Sequence, residues 1–394
     1  MEEKQKENLD KTEAIPSTTP ITANDLQPEV EIEIIPKLRI IKKINEGGMG
    51  IVWHAKLRTE IEQDVAVKLA KSGFSEELKR EAEYVEHLNY RTIAKLLGVT
   101  RIAGETALIM EYVAGKNFYE IVQMHNSLNR LFPEKFAGFV GWLVCEALNY
   151  GHNLPMLDKE GKIRVGLLHN DISLQNLIAE HSGGIKVVDY GTSRALGEKK
   201  ENVITGKFSY MPPEIILGAE PTCSSDIYSL GATLYHLVFG APAVSNTKTI
   251  TDRLALLRHL KDKHESGELE KKVEEYTLKK EIISKEIGEI IFCSMRKDPS
   301  KRYRTTNEMK EDIKDRELAL DMKSNLTSYL YSKGFGPTQE ALGQYLEIIA
   351  MINEGKPIEL EKMEKARKAM PYLFESGNLV LKKKPDTEFL NISI

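Results

Sequence analysis

The sequence predicts an α+β fold, in which a small β-rich part is followed by a larger helical part and a helical C-terminal extension. Between residues 38 and 113, short apolar segments alternate with turn residues, which is the pattern of an antiparallel sheet. Beyond residue 114, apolar residues recur at helical spacing over longer segments. A chain of 394 residues is long enough to bury two cores of this kind.

The first 36 residues are acidic and then rich in threonine and proline, and they contain few core-forming side chains. This composition predicts a disordered leader, and the charged N-terminus lacks the apolar run of a signal peptide. The longest apolar stretch, residues 227–244, contains polar residues and follows Ser224-Ser225-Asp226, a capping sequence. We therefore expect a buried helix there, no membrane span and a cytoplasmic protein.

Charge and cysteine usage exclude other classes of protein. The net charge of −4 and the pI near 6.2 argue against a nucleic-acid-binding protein, and no long basic block is present. The three cysteines are scattered and lack metal-ligand spacing, so we expect free thiols in a reducing compartment.

Three strand-like segments begin at Leu38, Ile51 and Asp64, and a glycine-rich turn separates the first two. Glycines at such a turn allow backbone amides to approach the phosphates of a nucleotide without a Cβ clash. Lys68 lies in the third segment, where a lysine can bind the α- and β-phosphates of ATP. Ser75 is predicted to cap the helix that follows, and a further buried strand is predicted at residues 107–113.

The most informative stretch runs from Leu167 to Gly191. It contains His169, Asp171 and Asn176 in a tight cluster, and Asp189 after a short hairpin. Phosphoryl transfer needs one carboxylate to orient the attacking hydroxyl, and an amide and a second carboxylate to hold Mg²⁺. The spacing of these residues matches that requirement.

Three later segments extend the pattern: GKFSYMPPEI at 206–215, SSDIYSLG at 224–231 and KDPSKRYRT at 297–305. With the motifs above, they make the chain resemble the bacterial branch of the eukaryotic-like (Hanks-type) serine/threonine protein kinases. The resemblance implies a two-lobed protein-kinase-like domain at 37–318, with an N-lobe at 37–113 and a C-lobe at 114–318. ATP would bind in the cleft beside a hinge at 111–115. The extension at 319–394 has no assigned role and is a candidate for docking a partner.

The resemblance also assigns roles to individual residues. Asp171 would be the catalytic base, Glu81 would orient Lys68 through an ion pair, and Asn176 and Asp189 would bind Mg²⁺, with Mn²⁺ as an alternative. His169 would be structural, Asp226 would brace the catalytic loop, and Glu214 and Arg302 would form a buried pair. The residues implied in nucleotide binding are Ile44, Gly47, Gly48, Gly50, Val52, Ala66, Lys68, Glu111 and Val113, with Met110 as the gatekeeper.

The chain departs from the family pattern at several positions. Ser173 replaces a lysine that neutralises the γ-phosphate, and Lys207 stands where the family usually has a threonine. We hypothesise that Lys207 restores the missing charge beside Asp171. Asn170 replaces the arginine that binds an activation-loop phosphate, which predicts weak dependence on phosphorylation of that loop. Asn45 replaces the first glycine of the glycine-rich loop.

The resemblance implies transfer of the ATP γ-phosphoryl group to serine or threonine hydroxyls of protein substrates. Autophosphorylation would occur at Thr205 or in the leader at Thr18, Thr19 or Thr22. One alternative is a pseudokinase that binds ATP or acts as a scaffold, which the departures favour and the retained catalytic residues oppose. A second alternative, a small-molecule phosphotransferase of similar fold, generally lacks the GKFSYMPPE segment and the Glu214–Arg302 pair.

Overall fold

The computed structural model describes residues 37–157, 163–181, 183–196, 207–245, 253–280, 282–316 and 337–369, with short strand segments at 31–32, 374–375, 378–379 and 392–393. Within these residues the chain forms two compact units. The first contains the residues up to Asn89 and Ala94–Val113, and the second contains Tyr90–Ile93 and the residues from Ala114 onward. The prediction of a disordered leader at 1–36 is wrong for Glu31–Ile32, which form a strand. The other residues of the leader, and Thr205, lie outside the described residues.

The first unit is an antiparallel sheet with one helix, as the sequence predicts. Its strands in chain order are β1 (Glu31–Ile32), β2 (Lys37–Glu46), β3 (Gly50–Arg58), β4 (Glu62–Ala70), β5 (Leu96–Ile102) and β6 (Glu105–Glu111). They are arranged in the order β1-β2-β3-β4-β6-β5, and helix α1 spans Ser75–Val85. Helix α1 packs on one face of the sheet. Leu78 and Ala82 of the helix form a buried apolar cluster with Leu108 of β6.

Strand β5 was not anticipated from the sequence. It lies at an edge of the sheet, and its outward positions Leu97 and Val99 are apolar and about half exposed. Because apolar residues occupy both faces, the strand lacks the alternation of polar and apolar residues that identifies its neighbours.

The predicted capping role of Ser75 is wrong. Ser75 is the first residue of α1, and the residue before it, Phe74, makes no side-chain cap. The Ser75 hydroxyl instead donates to Glu105 Oε2 at 2.6 Å and accepts from the Thr106 amide at 2.8 Å. The serine therefore ties the start of α1 to strand β6.

The second unit is mainly helical and carries several short strands. Its helices are α2 (Phe118–Ser127), α3 (Glu134–His152), α4 (Pro213–Ile216), α5 (Cys223–Phe239), α6 (Arg253–Glu265), α7 (Glu268–Glu274), α8 (Lys285–Ser294), α9 (Thr306–Asp315), α10 (Pro337–Asn353) and α11 (Leu360–Ala369). Its strands are β7 (Gly115–Asn117), β8 (Pro155–Leu157), β9 (Ile163–Val165), β10 (Leu167–Leu168), β11 (Leu177–Glu180), β12 (Ile185–Val187), β13 (Arg194–Ala195), β14 (Val244–Ser245), β15 (Phe374–Glu375), β16 (Asn378–Leu379) and β17 (Ile392–Ser393).

Helix α5 is the centre of the second unit and is buried from Ser225 to Phe239. The predicted cap at Ser224-Ser225-Asp226 is wrong by a few residues. Thr222 is the N-cap, and the Thr222 amide donates to Ser225 Oγ at 3.1 Å. Helix α8 approaches so closely that a Cβ at Gly231 would lie 2.5 Å from Ser294 Cβ, so glycine is required there.

The C-terminal extension contains helices, as predicted, and also short strands. Helices α10 and α11 pack on each other, and α10 also packs on α2. Strand β17 pairs in parallel with β14, and β15 pairs with β16. In the part of the chain that the structure describes, no helix combines the length and apolar character needed to cross a bilayer.

Candidate active site

The first unit places the predicted phosphate-binding groups on one sheet. The turn between β2 and β3 is closed by a hydrogen bond from the Gly47 amide to the Gly50 carbonyl at 2.9 Å. Gly50 is required because a Cβ there would lie 2.7 Å from the Leu69 carbonyl oxygen. Gly48 has open space around it, so its backbone is accessible to a ligand.

The predicted ion pair between Lys68 and Glu81 is present. Lys68 Nζ lies 2.8 Å from Glu81 Oε1 and 2.6 Å from Oε2, and both residues are almost completely buried. Strand β4 carries the lysine and helix α1 carries the glutamate, which orients the ammonium group. A buried charge is costly unless it is paired, and this pair meets that requirement.

Other predicted nucleotide contacts share a face with Lys68. Val52 lies opposite Lys68 in the β3–β4 register, and Ala66 is two residues away on β4. Because side chains alternate along a strand, these three point to the same side of the sheet. Ile44 is 46% exposed on β2. Val52 and Ala66 offer an apolar surface beside the lysine.

At the end of β6, the predicted hinge residues follow the gatekeeper Met110. The Glu111 amide donates to the Lys95 carbonyl at 2.8 Å, and its carboxylate accepts from the Lys95 amide at 3.1 Å. Val113 is 8% exposed. Since the Glu111 amide is already bonded, a contact from Glu111 to adenine would use its carbonyl oxygen.

In the second unit, residues 169–176 form a loop between β10 and β11 that is braced by Asp226 of α5. The Asp226 carboxylate accepts from the His169 amide at 3.0 Å and from the Asn170 amide at 2.8 Å. Asn170 has a φ of 62°, a left-handed conformation that asparagine tolerates better than most residues. The predicted bracing role of Asp226 is therefore seen in the structure.

Asp171, Asn176 and Lys207 meet at this loop. Lys207 Nζ lies 2.7 Å from Asp171 Oδ2 and 3.1 Å from Ser173 Oγ. Asn176 Nδ2 donates to the Asp171 carbonyl and to Asp171 Oδ2, both at 2.8 Å. The ammonium group therefore lies beside the position where Ser173 replaces the usual lysine, as we hypothesised.

Lys207 is held in place by its neighbours. Its amide lies 3.3 Å from Asp171 Oδ1, and its carbonyl accepts from the Tyr210 amide at 3.0 Å. Tyr210 is in turn anchored to α5, since its hydroxyl lies 2.8 Å from His236 Nδ1 and its carbonyl accepts from Ser229 Oγ at 3.0 Å. A short turn fixed to the central helix thus presents the lysine to the loop.

Asp189 follows β12 and adopts a φ of 63°, again in the left-handed region. The Gly191 amide lies 3.4 Å from Asp189 Oδ1. The next residue, Tyr190, is buried and packs on the His169 ring at 4.5 Å between centroids. His169 Nε2 contacts the Val188 carbonyl at 3.3 Å, and burial lowers the pKa of His169. The predicted structural role of His169 fits this buried, packed ring.

A buried pair between His152 and Asp226 was missed by the sequence reasoning. His152 Nε2 lies 2.8 Å from Asp226 Oδ2. Burial opposes protonation of the imidazole, but the hydrogen bond and charge of Asp226 outweigh it and raise the pKa of His152 to about 9. The loop is therefore braced by a charged histidine at the end of α3 as well as by α5. No sequence pattern identifies a histidine at the end of a helix as the partner of a distant buried aspartate.

A second missed feature joins the catalytic loop to the segment after Asp189. Asn170 Nδ2 donates to the Thr192 carbonyl at 3.2 Å. The hydroxyls of Thr192 and Ser193 donate to the His169 carbonyl at 3.2 and 3.3 Å. These three hydrogen bonds connect the two segments without any charged group.

The predicted pair of Glu214 and Arg302 is also present. Arg302 Nη1 and Nη2 donate to the two Glu214 oxygens at 2.9 and 2.7 Å, and the guanidinium group is fully buried. Burial would raise the pKa of Glu214, but its bonds to Arg302 and then Ser225 hold it below its usual value. The pair joins α4 to the turn before α9.

Asn176 and Asp189 carry oxygen donors of the kind that bind a divalent metal. Because Asn176 Nδ2 donates to Asp171, the end of the amide that could bind a metal is Oδ1, which lies 3.4 Å from Lys207 Nζ. Carboxylate and amide oxygens are suitable ligands for Mg²⁺, which takes its remaining ligands from phosphates and water. Accordingly, the described residues contain no group of three or more His, Cys, Asp or Glu side chains that could hold a metal alone.

Comparison with known proteins now identifies the family. The model of the protein kinase domain family matches residues 38–313. The chain belongs to this family. The matched range includes both members of the Lys68–Glu81 pair, the loop at 169–176 and Arg302.

Several named protein kinases are similar to this kinase domain. Serine/threonine-protein kinase PknB of Mycobacterium tuberculosis is 24% identical over 282 residues, which cover 68% of this chain and 41% of PknB. A Clostridium perfringens protein named probable serine/threonine-protein kinase is 27% identical over 301 residues, covering 73% of this chain and 40% of that protein. Aurora/IPL1-related protein kinase 2 of Caenorhabditis elegans is 28% identical over 214 residues, which cover 53% of this chain and 65% of that protein. The matched part of this chain therefore spans about two fifths of the length of the bacterial relatives.

Proposed function

We propose that the protein is a serine/threonine protein kinase that transfers the γ-phosphoryl group of ATP to protein substrates. The observation that carries the proposal is the cluster of Asp171, Asn176 and Lys207. It places a carboxylate and an amide of one braced loop beside an ammonium group from a separate turn. Phosphoryl transfer depends on positioning and on charge stabilisation, and this cluster supplies both.

In this proposal Asp171 accepts a hydrogen bond from the acceptor hydroxyl and orients its oxygen toward the γ-phosphorus. The bonds from Asn176 and Lys207 fix the carboxylate in one orientation. As the hydroxyl oxygen attacks, the bond from the γ-phosphorus to the bridging oxygen breaks, ADP leaves, and the hydroxyl proton passes to Asp171. Lys207 lies beside the reacting group and neutralises charge on the phosphoryl oxygens.

The remaining predicted residues act on the nucleotide. Lys68, oriented by Glu81, would bind the α- and β-phosphates, and the backbone at Gly47, Gly48 and Gly50 would cover them. Asn176 and Asp189 would hold Mg²⁺, with Mn²⁺ as an alternative. When bound, such an ion neutralises phosphate charge and orients the γ-phosphoryl group.

Specificity for serine and threonine is supported by the names of the relatives, several of which are serine/threonine kinases. We extend this specificity, and the use of protein substrates, to this chain as part of the proposal. Autophosphorylation and a cytoplasmic location stay predictions.

Two observations bear on the alternative functions. An active enzyme is favoured over a pseudokinase because the chain retains Lys68, Glu81, Asp171, Asn176 and Asp189. The match to the protein kinase domain supports a protein substrate over a small molecule.

The proposal is tested by comparing the phosphoproteomes of cells that express the wild-type chain or the Asp171→Asn variant. We expect a set of serine and threonine phosphosites that depends on Asp171. Peptides from this set are then offered to the purified protein, which should phosphorylate them only with an intact Asp171. Identical phosphoproteomes, together with no transfer by the purified wild-type protein, would refute the proposal.

A further inference from the structure

The second unit contains a cavity of about 450 Å³ bounded by α2, α10 and the strands β7 and β11. Its walls are largely apolar: α2 contributes Ile121 and Met124, β11 contributes Ala179, and α10 contributes Leu346 and Ala350. The volume falls within the range of roughly 300–1,000 Å³ that is typical of small-molecule sites. None of the residues that line it belongs to the candidate active site.

The α10 wall of the cavity is firmly attached to the kinase domain. Tyr345 of α10 is completely buried, and its hydroxyl lies 3.0 Å from His125 Nε2 of α2. Burial lowers the pKa of His125 to about 4, so its ring is neutral at pH 7. The Tyr345 ring also packs on Phe136 at 4.9 Å between centroids, and Ser127 Oγ donates to Asn353 Oδ1 at 2.6 Å.

Helix α10 has a second face beside the one that carries Tyr345. Gly343, Leu346, Glu347 and Ala350 follow one another at the spacing of a single helical face, and all four line the cavity. A glycine inside a helix costs about 1 kcal/mol relative to alanine. At residue 343 the glycine adds no side chain to the cavity wall.

The strands give the cavity a basic edge. Lys116 lies opposite Ala179 in the β7–β11 register, so alternation places these two side chains on one face. His181, the first residue after β11, also lines the cavity. Glu180 also borders the cavity, but alternation places its side chain on the other face. On the helical side, Glu347 is bonded to Lys362, and Glu354 near Lys116 is bonded to Lys356 at 2.7 Å.

From this combination we infer that the cavity binds a small amphipathic anion. The apolar body of the ligand lies between α2 and α10, and its single acidic head group lies at Lys116 and His181. Because α10 forms one wall, the ligand contacts the C-terminal extension and the kinase domain at once. The site is separate from phosphoryl transfer, so the inference goes beyond the proposed function.

The inference is tested by titrating the full chain with 8-anilinonaphthalene-1-sulfonate, an apolar aromatic molecule with one anionic group. We expect saturable binding of one molecule per chain, measured by fluorescence and calorimetry. N-phenyl-1-naphthylamine, which has the same ring system without the sulfonate, should bind at least fivefold more weakly. Lys116→Gln should weaken sulfonate binding about fivefold, because a charge-assisted contact is lost.

Two further variants fill the cavity, Leu346→Trp and Ala350→Leu, and each should reduce binding at least tenfold while the circular dichroism spectrum is retained. Lys285→Gln is the matched control, since Lys285 on α8 is 80% exposed and does not line the cavity. Asp171→Asn should bind the probe normally, which separates this result from the test of kinase activity. Absence of saturable binding, or equal binding by the filled variants and the wild type, would overturn the inference.

Discussion

Lys207 Nζ lies 2.7 Å from Asp171 Oδ2, although the two residues are 36 positions apart in the chain. The same ammonium group is 3.1 Å from the hydroxyl of Ser173, which replaces the lysine expected two residues after the catalytic aspartate. The positive charge beside Asp171 is therefore supplied by Lys207, which precedes the turn at Phe208–Tyr210, and not by residue 173 of the loop.

Removing this cation should slow catalysis. We expect Lys207→Ala to lower kcat about 10²-fold, because a charge that stabilises the transferring group is lost. Adding Ser173→Lys to this variant should recover at least about tenfold of the loss, since it restores a cation at the same place. Lys301→Ala, at an exposed turn of the same unit, is the control. An unchanged kcat for Lys207→Ala in a steady-state kinase assay would contradict the charge replacement.

Activity should depend only weakly on phosphorylation of the activation loop. Asn170, Thr192 and Ser193 connect the loop segments through uncharged hydrogen bonds, so no phosphate is needed to bring them together. We expect phosphatase treatment to leave kcat within about twofold of the untreated value. Asn170→Gly keeps the left-handed backbone but removes the side-chain bond, and should lower kcat about fivefold. A collapse of activity on dephosphorylation would show that a phosphate orders the loop.

Breaking the pair between Glu214 and Arg302 should destabilise the second unit. Arg302→Met leaves a partly buried carboxylate without its partner, and we expect a loss of about 3–5 kcal/mol in the free energy of unfolding. The double variant Arg302→Met/Glu214→Leu should recover part of that loss, because no uncompensated charge remains. Urea denaturation followed by circular dichroism measures both. Equal destabilisation by the single and double variants would argue that packing rather than charge is responsible.

Stability should fall as the pH rises above neutrality. The pKa of His152 is raised to about 9, against an ordinary value near 6.5, so the folded state holds a proton that the unfolded state releases. The contribution is fully present below about pH 6.5 and is lost as the pH rises through 9, with a magnitude on the order of 3 kcal/mol. Unfolding free energies measured from pH 6 to 10 should show this decline. His152→Gln should flatten the curve, and an equal slope in that variant would assign the decline to other groups.

Sequence reasoning located the parts of the site that are encoded by local patterns. Lys68 is identified by its alternating strand, and Asp171, Asn176 and Asp189 by their spacing within 25 residues. Strand β5 was missed because Leu97 and Val99 are apolar on its exposed face, which hides the period of two. The first turns of α1 and α5 were misjudged because Ser75 bonds to β6 and Thr222, not Ser224, caps α5.

Contacts between distant residues could not be read from the sequence. His152 is 74 residues from Asp226, and His125 is 220 residues from Tyr345. Such bonds depend on how α3, α5 and α10 pack, which no short motif encodes. Lys207 could be predicted only by comparison with the family pattern. Ser173 stands where the family has a lysine, so a positive charge was missing. Lys207 stands where the family has a threonine, which made it the candidate replacement.

Transfer of phosphate from ATP to proteins by this chain can be measured with γ-labelled ATP. Peptide mixtures with serine, threonine or tyrosine acceptors are offered to wild-type protein and to Asp171→Asn. We predict labelling of the serine and threonine peptides by the wild type, and a rate about 10²- to 10⁴-fold lower for the folded variant. No labelling by wild-type protein that binds ATP, or equal labelling by both proteins, would show that this chain is not an active protein kinase.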